Sequence, residues 1–180
     1  MKKHIHILGA SGSGTTTIAG PVANRLGYRH FDSDSYFWAP SAEPFTLHRD
    51  REERVTLLEK DLNSYENWVL SGSLADWGNK VIPYFDLVVF VTVPQEIRME
   101  RLKKREYERY GKMILPGGSR YDNSEAFFAW AESYDDGGLE IRSFQSHEVW
   151  LKRLLCPLLR IENMVLEESL TAVLNAAETL

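Results

Sequence analysis

Residues 9–17 read GASGSGTTT, and their spacing is typical of a loop that binds phosphate groups. The general pattern is G-x-x-x-x-G-K-[ST], in which backbone N–H groups and the positive end of the following helix bind phosphate oxygens. Gly9, Gly14 and Thr16 fit this pattern, whereas Thr15 occupies the lysine position. Thr16 is expected to bind Mg²⁺ through its hydroxyl. The residues predicted to bind the nucleotide are Gly9, Ala10, Ser11, Gly12, Ser13, Gly14, Thr15, Thr16 and Thr17.

A second group of residues suited to chemistry is the acidic pair in HFDSDSYFW. Asp32 and Asp34 cannot point the same way in a regular strand, but a turn after the strand would bring them together. We expect Asp32 to hold Mg²⁺ through a water molecule. Asp34 would orient or deprotonate an acceptor hydroxyl or amine, and its charge favours a neutral or cationic acceptor. The alternative is that both are solvated loop residues or form an Asx-turn.

Four arginines could supply the charge that Thr15 lacks, because a guanidinium makes bidentate contacts with phosphate. Arg101 and Arg105 lie on a predicted helix before an irregular segment, and Arg142 lies on a predicted helix after it. Arg120 lies within that segment. The alternative for Arg101 and Arg105 is a solvated helix face, paired with glutamates.

The elements that must position these residues alternate between strands and helices. Short β-branched runs at residues 4–8, 28–31, 67–71, 86–93 and 156–162 predict strands, and the segments between or after them have helical patterns. This order predicts an α/β fold with a five-stranded parallel sheet and helices on both faces. Ligands bind such sheets at the carboxyl ends of the strands, where residues 9–16, 32–34, 71–73 and Thr92 would meet.

Residues 1–180 are expected to form a single domain with a lid at about residues 106–138. Residues 112–138 are expected to be irregular, and the pairs Gly117–Gly118 and Gly137–Gly138 would act as hinges. Phe127, Phe128 and Trp130 are expected to pack the lid together.

Composition excludes several classes of protein. A net charge of −5 argues against nucleic-acid binding through general basicity. Cys156 stands alone, so an intrachain disulfide is impossible, which favours a reducing compartment. No run approaches the roughly 20 apolar residues of a membrane span. We therefore expect a cytoplasmic protein, a monomer or homodimer, that binds neither nucleic acid nor membranes.

The sequence resembles the P-loop kinases related to adenylate kinase and shikimate kinase over most of its length. GASGSGTTT, HFDSDSYFW, WVLSGS, VTVPQEIRMERLKKRE and YDDGGLEIR are similar to successive motifs of these enzymes. The segment from Arg109 to Gly138 also resembles the lid of a bacterial subfamily described only as ATPase or adenylate kinase-like. The resemblance implies the three-layer P-loop NTPase fold with a lid insertion. It assigns functional roles to Asp32, Asp34, Gly72, Arg101, Arg105 and Arg142.

The resemblance implies transfer of a phosphoryl group from Mg·ATP, or another nucleoside triphosphate, to a small-molecule acceptor. Asp34, Arg101, Arg105 and Arg142 would be catalytic, whereas Asp32 and Gly72 would line the acceptor site. Two departures stand out: Thr15 replaces lysine, and Ser71 replaces the aspartate that nucleotide kinases have before glycine. They favour one alternative, a nucleotide-binding sensor with weak or no turnover. A nucleic-acid-dependent NTPase is the other alternative, and the acidic balance argues against it. Residues near Glu162 and Asn163 would contact the base, without distinguishing ATP from GTP.

Overall fold

The computed structural model describes residues 3–180 and shows a parallel sheet with helices on both faces. The strands are β1 (Lys3–Gly9), β2 (Arg29–Asp32), β3 (Asn67–Ser71), β4 (Leu87–Thr92) and β5 (Leu158–Glu162). The helices are α1 (Thr15–Leu26), α2 (Asp34–Phe37), α3 (Arg51–Leu62), α4 (Gln95–Tyr110), α5 (Tyr121–Glu132), α6 (Phe144–Leu151) and α7 (Leu166–Glu178). The sheet order is β2-β3-β1-β4-β5, and each neighbouring pair is parallel. The predicted fold class is confirmed.

The central strands β1 and β4 are apolar on both faces because helices cover both sides of the sheet. On one face, Ile7 and Val89 pack in a core that includes Val173 of α7. On the other face, Leu8 and Phe90 pack in a core with Trp68, α3 and α6. This two-sided burial explains the uninterrupted apolar run of β4.

The carboxyl ends of the strands meet at one edge of the sheet, as predicted. Ser33, just after β2, donates its backbone N–H to the carbonyl of Ser71 at 2.9 Å. Gly72 donates its N–H to the carbonyl of Ile7 at 3.0 Å. These bonds fix the acidic pair and the end of β3 beside the loop that follows β1.

The prediction of an irregular segment at residues 112–138 is wrong. Gly111–Ile114 form a 3₁₀ turn, and α5 forms a regular helix of twelve residues. The helix has no side-chain cap at its start, so its local signal was weak. It is stabilised by burial of Phe128 and Ala131 against Met99 and Leu102 of α4. Tertiary packing here outweighs intrinsic propensity.

Helix α6 begins later than predicted, because its capping residue lies further along the chain. Ser143 caps α6 and forms a reciprocal capping box with Ser146, so Arg142 precedes the helix rather than lying on it. Asp50 caps α3 by accepting the N–H groups of Glu52 and Glu53.

Within residues 3–180, none of the helices combines the length and the apolar character that crossing a membrane requires.

Candidate active site

The phosphate loop lies between β1 and α1, and a side chain from the turn after β5 hydrogen-bonds to its backbone. Gly14 has φ +89°, and a Cβ atom there would lie 2.6 Å from Nδ2 of Asn163. That Nδ2 donates to the carbonyl of Ser13 at 2.9 Å, and Oδ1 of Asn163 accepts from Ser169 at 3.0 Å. Asn163, which was predicted near a base site, therefore holds the loop in shape with its side chain.

Thr16 and Asp32, the two predicted Mg²⁺ residues, are in contact. The hydroxyl of Thr16 donates to Oδ2 of Asp32 at 2.8 Å. The other carboxylate oxygen of Asp32 accepts the N–H of Asp34 at 3.0 Å, so the Asx-turn alternative also describes part of this geometry. One carboxylate therefore ties the phosphate loop to the turn that presents Asp34.

The oxygens of Thr16 and Asp32 fit the requirements of Mg²⁺. Mg²⁺ takes oxygen ligands, either directly or through its bound waters, and the hydroxyl of Thr16 beside the carboxylate of Asp32 offers both kinds of contact. No cluster of three or more histidine, cysteine or acidic residues suited to a metal occurs in residues 3–180. The pair would suit a cation that keeps water and phosphate ligands.

Arg142 lies directly over the phosphate loop. Its Nη2 donates to Oγ of Ser11 at 2.6 Å, and its guanidinium carbon lies 4.6 Å from the ring centroid of Trp130. Across the described chain, Arg142 forms no ion pair with a carboxylate, although Asp34 and Asp76 lie near enough to act on its pKa. Burial lowers the pKa of the guanidinium. Arg142 is thus a half-buried cation that contacts the loop predicted to bind phosphate.

The other predicted arginines have different partners. Arg101 donates to the carbonyls of Gly12 and Asn163 at 3.5 and 3.2 Å, so it braces the loop backbone. Arg105 is exposed and pairs with Glu106 at 3.5 Å. Arg120 pairs with Glu43 at 3.3 Å.

Arg98, which the sequence reasoning missed, is buried under the loop. It donates to the carbonyls of Val93 and Ala131 and pairs with Asp135. Its position on the buried face of α4 was visible in the sequence, but the helix pattern alone gave no reason to expect a buried charge.

A cavity of about 930 Å³ opens beside the loop, lined by the α2–α3 segment on one side and by α4 and α5 on the other. Ser11, Asp34, Ser73, Arg105 and Arg142 are among the residues that line it. Asp32 and Gly72, the other predicted acceptor residues, do not line it. Asp32 contacts Thr16, and Gly72 packs against Ser33 with φ +95°.

Desolvation, followed by the charge of Asp32, raises the pKa of Asp34. The charges of Arg142, Arg105 and Arg109 act in the opposite direction. The carboxylate therefore faces the cavity with a proton affinity higher than that of a solvated aspartate, which suits a group that accepts a proton.

The three aromatic residues that were predicted to pack together have further contacts. Phe128 is buried against Met99 and Leu102 of α4, and Phe127 and Trp130 line the cavity. Trp130 keeps 36% of its surface exposed.

His147, predicted to be structural, lies in a buried hydrogen-bond chain. Its Nε2 is 2.8 Å from Oγ of Ser73, and its Nδ1 is 2.7 Å from the hydroxyl of Tyr134. Burial lowers the pKa of His147 to about 3, so the ring is neutral. This hydrogen-bond chain joins the end of β3 to the segment that follows α5. The spacing of its members in the sequence did not predict it.

Ser71, the residue that stands in place of an aspartate, is buried and hydrogen-bonded. Its Oγ lies 3.0 Å from Nε2 of His30 and donates to the carbonyl of Phe31 at 3.3 Å. It links β2 to β3.

A parallel sheet with a glycine-rich loop between its central strand and the next helix, and a Thr–Asp contact between the start of that helix and the end of β2, is typical of the P-loop kinase fold. The chain belongs to the AAA domain family, whose model matches residues 5–127. It is 50% identical over 163 residues to the uncharacterized protein YqaC of Bacillus subtilis (strain 168), covering 91% of this chain and 90% of that protein.

More distant similarities agree with this class. A cytidylate kinase of Methanocaldococcus jannaschii is 32% identical over 115 residues, which cover 57% of this chain and 64% of the kinase. A shikimate kinase structure from Bacteroides thetaiotaomicron has a TM-score of 0.56 at 17% identity, covering 98% of both chains. A gluconokinase structure from Sinorhizobium meliloti 1021 has a TM-score of 0.55 at 16% identity, covering 99% of this chain and 93% of that one. At these identities the two structures show a shared fold.

Proposed function

We propose that the protein is a phosphotransferase that moves the γ-phosphoryl group of Mg·ATP to a small-molecule acceptor in the cavity beside the phosphate loop. The observation that carries the proposal is the arrangement of Thr16, Asp32 and Asp34. One carboxylate contacts the loop hydroxyl at 2.8 Å and also accepts the N–H of the carboxylate residue that faces the cavity. The P-loop kinase fold and the kinases among the relatives support the same reaction type.

In the proposed reaction, an acceptor oxygen attacks the γ-phosphorus of ATP and forms the new P–O bond. The bond between the γ-phosphorus and the β,γ-bridging oxygen breaks, and ADP leaves with the electron pair. The proton of the acceptor passes to the carboxylate of Asp34. Mg²⁺ held at Thr16 and Asp32 would neutralise charge on the β- and γ-phosphates.

Arg142 is proposed to replace the cation that Thr15 lacks. Phosphoryl transfer depends on positioning and charge stabilisation more than on covalent chemistry, so the source of the charge matters less than its location. Arg142 contacts Ser11 of the loop at 2.6 Å and forms no ion pair within residues 3–180. Arg105 is bound to Glu106 and Arg101 to backbone carbonyls, so they are less available for this role.

The segment at about residues 106–138 is proposed to act as a lid over the cavity. It contributes Phe127 and Trp130 to the cavity wall, and the chain returning from it carries Arg142. Closing such a segment would exclude water, so that ATP transfers its phosphoryl group to the acceptor rather than to water.

A nucleotide-binding sensor is the second candidate, and Ser71 favours it. Ser71 carries no carboxylate, and its hydroxyl is already engaged by His30 and the Phe31 carbonyl, so this position has no free group for Mg²⁺ or the nucleotide. A sensor would bind Mg·ATP without acceptor-dependent turnover.

The two candidates are separated by incubating the protein with γ-³²P-labelled Mg·ATP and a small-molecule extract of bacterial cells. The phosphotransferase predicts a labelled product that wild type forms and Asp34→Asn does not. Asp136→Asn, an exposed aspartate outside the cavity, is the matched control and should keep the activity. Binding of ATP without any labelled product would favour the sensor.

A further inference from the structure

A buried hydrogen-bond chain that the proposed reaction does not use ends at the wall of the cavity. Oγ of Ser73 lies 2.8 Å from Nε2 of His147, and Nδ1 of His147 lies 2.7 Å from the hydroxyl of Tyr134. Of these three residues, Ser73 lines the cavity. His147 and Tyr134 are buried, with 0% and 6% of their surfaces exposed. The chain therefore connects two buried titratable side chains to the surface that a phosphoryl acceptor would contact.

The direction of these hydrogen bonds follows from the single partner of Tyr134. Within residues 3–180, its hydroxyl forms a hydrogen bond only with Nδ1 of His147. Burial raises the pKa of Tyr134, so the hydroxyl keeps its hydrogen and donates it to Nδ1, since a buried donor without a partner is costly. His147 is neutral, because burial and the charge of Arg142 lower its pKa to about 3. The single ring hydrogen therefore lies on Nε2 and is donated to Oγ of Ser73.

This direction leaves the hydroxyl hydrogen of Ser73 without a partner in the part of the chain that the structure describes. A serine hydroxyl has one hydrogen to donate and two lone pairs that accept. The oxygen accepts from Nε2 of His147 and from the N–H of Ala75 at 3.3 Å, so both lone pairs are used. Ser73 can therefore only donate to a molecule in the cavity, and its partner must be an atom that accepts a hydrogen bond.

A hydroxyl with a purely structural role would have its hydrogen bonded within the protein. Ser71, two positions earlier, has this arrangement. Its Oγ lies 3.0 Å from Nε2 of His30, and it donates its hydrogen to the carbonyl of Phe31 at 3.3 Å. Ser73 differs in that its hydrogen is free and its side chain lines the cavity. This difference favours a ligand as the missing partner.

Ser73 lies close to the end of the cavity at which Asp34 would take a proton. Asp32 of β2 pairs with Ser71 of β3, and Asp34 and Ser73 each follow this pair by two positions. Paired strands lie about 4.8 Å apart, and the N–H of Ser33 continues the pairing with a bond of 2.9 Å to the Ser71 carbonyl. Asp34 and Ser73 both line the cavity. A phosphoryl acceptor with one group at Asp34 would therefore present a neighbouring group to Ser73.

We infer that Ser73 donates a hydrogen bond to an oxygen of the phosphoryl acceptor, and that His147 and Tyr134 are positioning residues that fix the direction of this bond. The inference rests on the proposed function. The phosphoryl acceptor therefore carries a hydroxyl, carbonyl or carboxylate oxygen beside the hydroxyl or amine that faces Asp34. An ammonium group in place of that oxygen is disfavoured, because its N–H groups would meet a hydroxyl with no lone pair left.

The tautomer of His147 is measured by two-bond ¹H–¹⁵N correlation NMR on the full chain labelled with ¹⁵N. The experiment distinguishes a ring protonated on Nε2 from one protonated on Nδ1, and the signals of His147 are those missing in His147→Gln. Wild type should show the Nε2–H form alone. In Tyr134→Phe, part of the population should carry the hydrogen on Nδ1. The Nδ1–H form in wild type, or the same tautomer in Tyr134→Phe as in wild type, would overturn the inference.

Contact with the phosphoryl acceptor is tested by equilibrating the full chain with Mg²⁺, a non-hydrolysable ATP analogue and a small-molecule extract of bacterial cells. The protein is separated by rapid gel filtration, and mass spectrometry identifies the compounds that it retains. Ser73→Ala should retain at least tenfold less of these compounds than wild type, with unchanged binding of the ATP analogue. Ser64→Ala, at an exposed serine outside the cavity, is the matched control.

Three results of this experiment would overturn the inference. The first is equal retention by wild type and Ser73→Ala, and the second is that wild type retains no compound. The third is retention only of compounds that have an ammonium group, or no polar group, where the second oxygen is expected.

Two variants of His147 separate the orientation of Ser73 from packing. Leucine in His147→Leu removes the N–H donor, whereas the amide in His147→Gln places an N–H group near the former position of Nε2. Retention should fall at least fivefold in His147→Leu and by less in His147→Gln, while both variants bind the ATP analogue as wild type does. Equal losses in the two variants, or no loss in His147→Leu, would overturn the positioning role.

The readouts keep this inference distinct from the proposed function. Retention that depends on Ser73, without phosphoryl transfer from γ-labelled ATP, would leave the inferred contact intact and contradict the proposed reaction. Transfer that is equally efficient in wild type and Ser73→Ala at limiting extract would support the proposed reaction and overturn the inference.

Discussion

Arg142 donates from Nη2 to Oγ of Ser11 at 2.6 Å. An arginine from far along the sequence therefore contacts a side chain of the phosphate loop. The usual lysine of this loop follows the last glycine, where the protein has Thr15. We propose that this contact supplies the missing charge, because the guanidinium of Arg142 lies on the loop that would otherwise carry the lysine.

The first prediction concerns the exchange of these two cations. Arg142→Ala should lower the rate of phosphoryl transfer by about 10²-fold, as expected for loss of one charged transition-state contact. Thr15→Lys alone should lower turnover, because the lysine competes with Arg142. Thr15→Lys combined with Arg142→Ala should recover at least tenfold over Arg142→Ala. The measurement is single-turnover kinetics, and an additive double mutant would rule out a shared role.

The second prediction concerns the pH dependence set by Asp34. Desolvation and Asp32 raise the pKa of this carboxyl group above the ordinary value of 3.8. Because the deprotonated form accepts the proton, kcat/KM should rise with pH through that raised pKa and then level off. Arg142 lowers the pKa of Asp34, so Arg142→Ala should move the rise to higher pH. A pH–rate profile that is identical in wild type and Asp34→Asn, apart from scale, would contradict the assignment.

The third prediction concerns Asn163, which joins the phosphate loop to the start of α7. Asn163→Ala removes the bonds to Ser13 and Ser169 and leaves a buried carbonyl without its partner. We expect a loss of about 1–3 kcal/mol in the free energy of unfolding, together with weaker Mg·ATP binding. Chemical denaturation and nucleotide titration measure the two effects. Asn175→Ala, at an exposed position of α7, should change neither.

The fourth prediction concerns acid stability. Burial lowers the pKa of His6 to about 4 and that of His147 to about 3, from 6.5. Between pH 6.5 and 4 the unfolded chain binds these protons and the folded chain does not, so the free energy of unfolding should fall as pH falls. Each histidine contributes a slope of up to about 1.4 kcal/mol per pH unit in this window.

Denaturation at several pH values should show a shallower slope in His147→Gln than in wild type. His48→Gln, which removes an exposed histidine, is the matched control. A slope in His147→Gln equal to that of wild type would show that this histidine does not titrate as described.

The sheet and the phosphate loop could be predicted from sequence because their signals are local. Strand runs, the glycine spacing of residues 9–14 and the cap at Gly27 each act over a few residues. The meeting of Thr16 and Asp32 followed from one rule about the carboxyl ends of parallel strands. Helix α5 and the start of α6 were missed because burial of Phe128 and a Ser143–Ser146 capping box decide them.

The finer details of the site depend on contacts between distant segments. Whether Arg101, Arg105 or Arg142 reaches the loop could not be decided from spacing, since all three face the same region. The bond between Asn163 and Ser13 spans 150 positions of sequence. The chain Ser73–His147–Tyr134 likewise needs the fold to bring its members together.

The central claim is tested most directly by ³¹P NMR of the purified protein with Mg·ATP, alone and with a pool of nucleosides, nucleoside monophosphates, sugars and aromatic hydroxy acids. The account predicts ADP and a new phosphate resonance that require the pool and disappear in Asp34→Asn, with little free phosphate. ATP that binds but stays intact with every acceptor, or that releases only free phosphate, would contradict it.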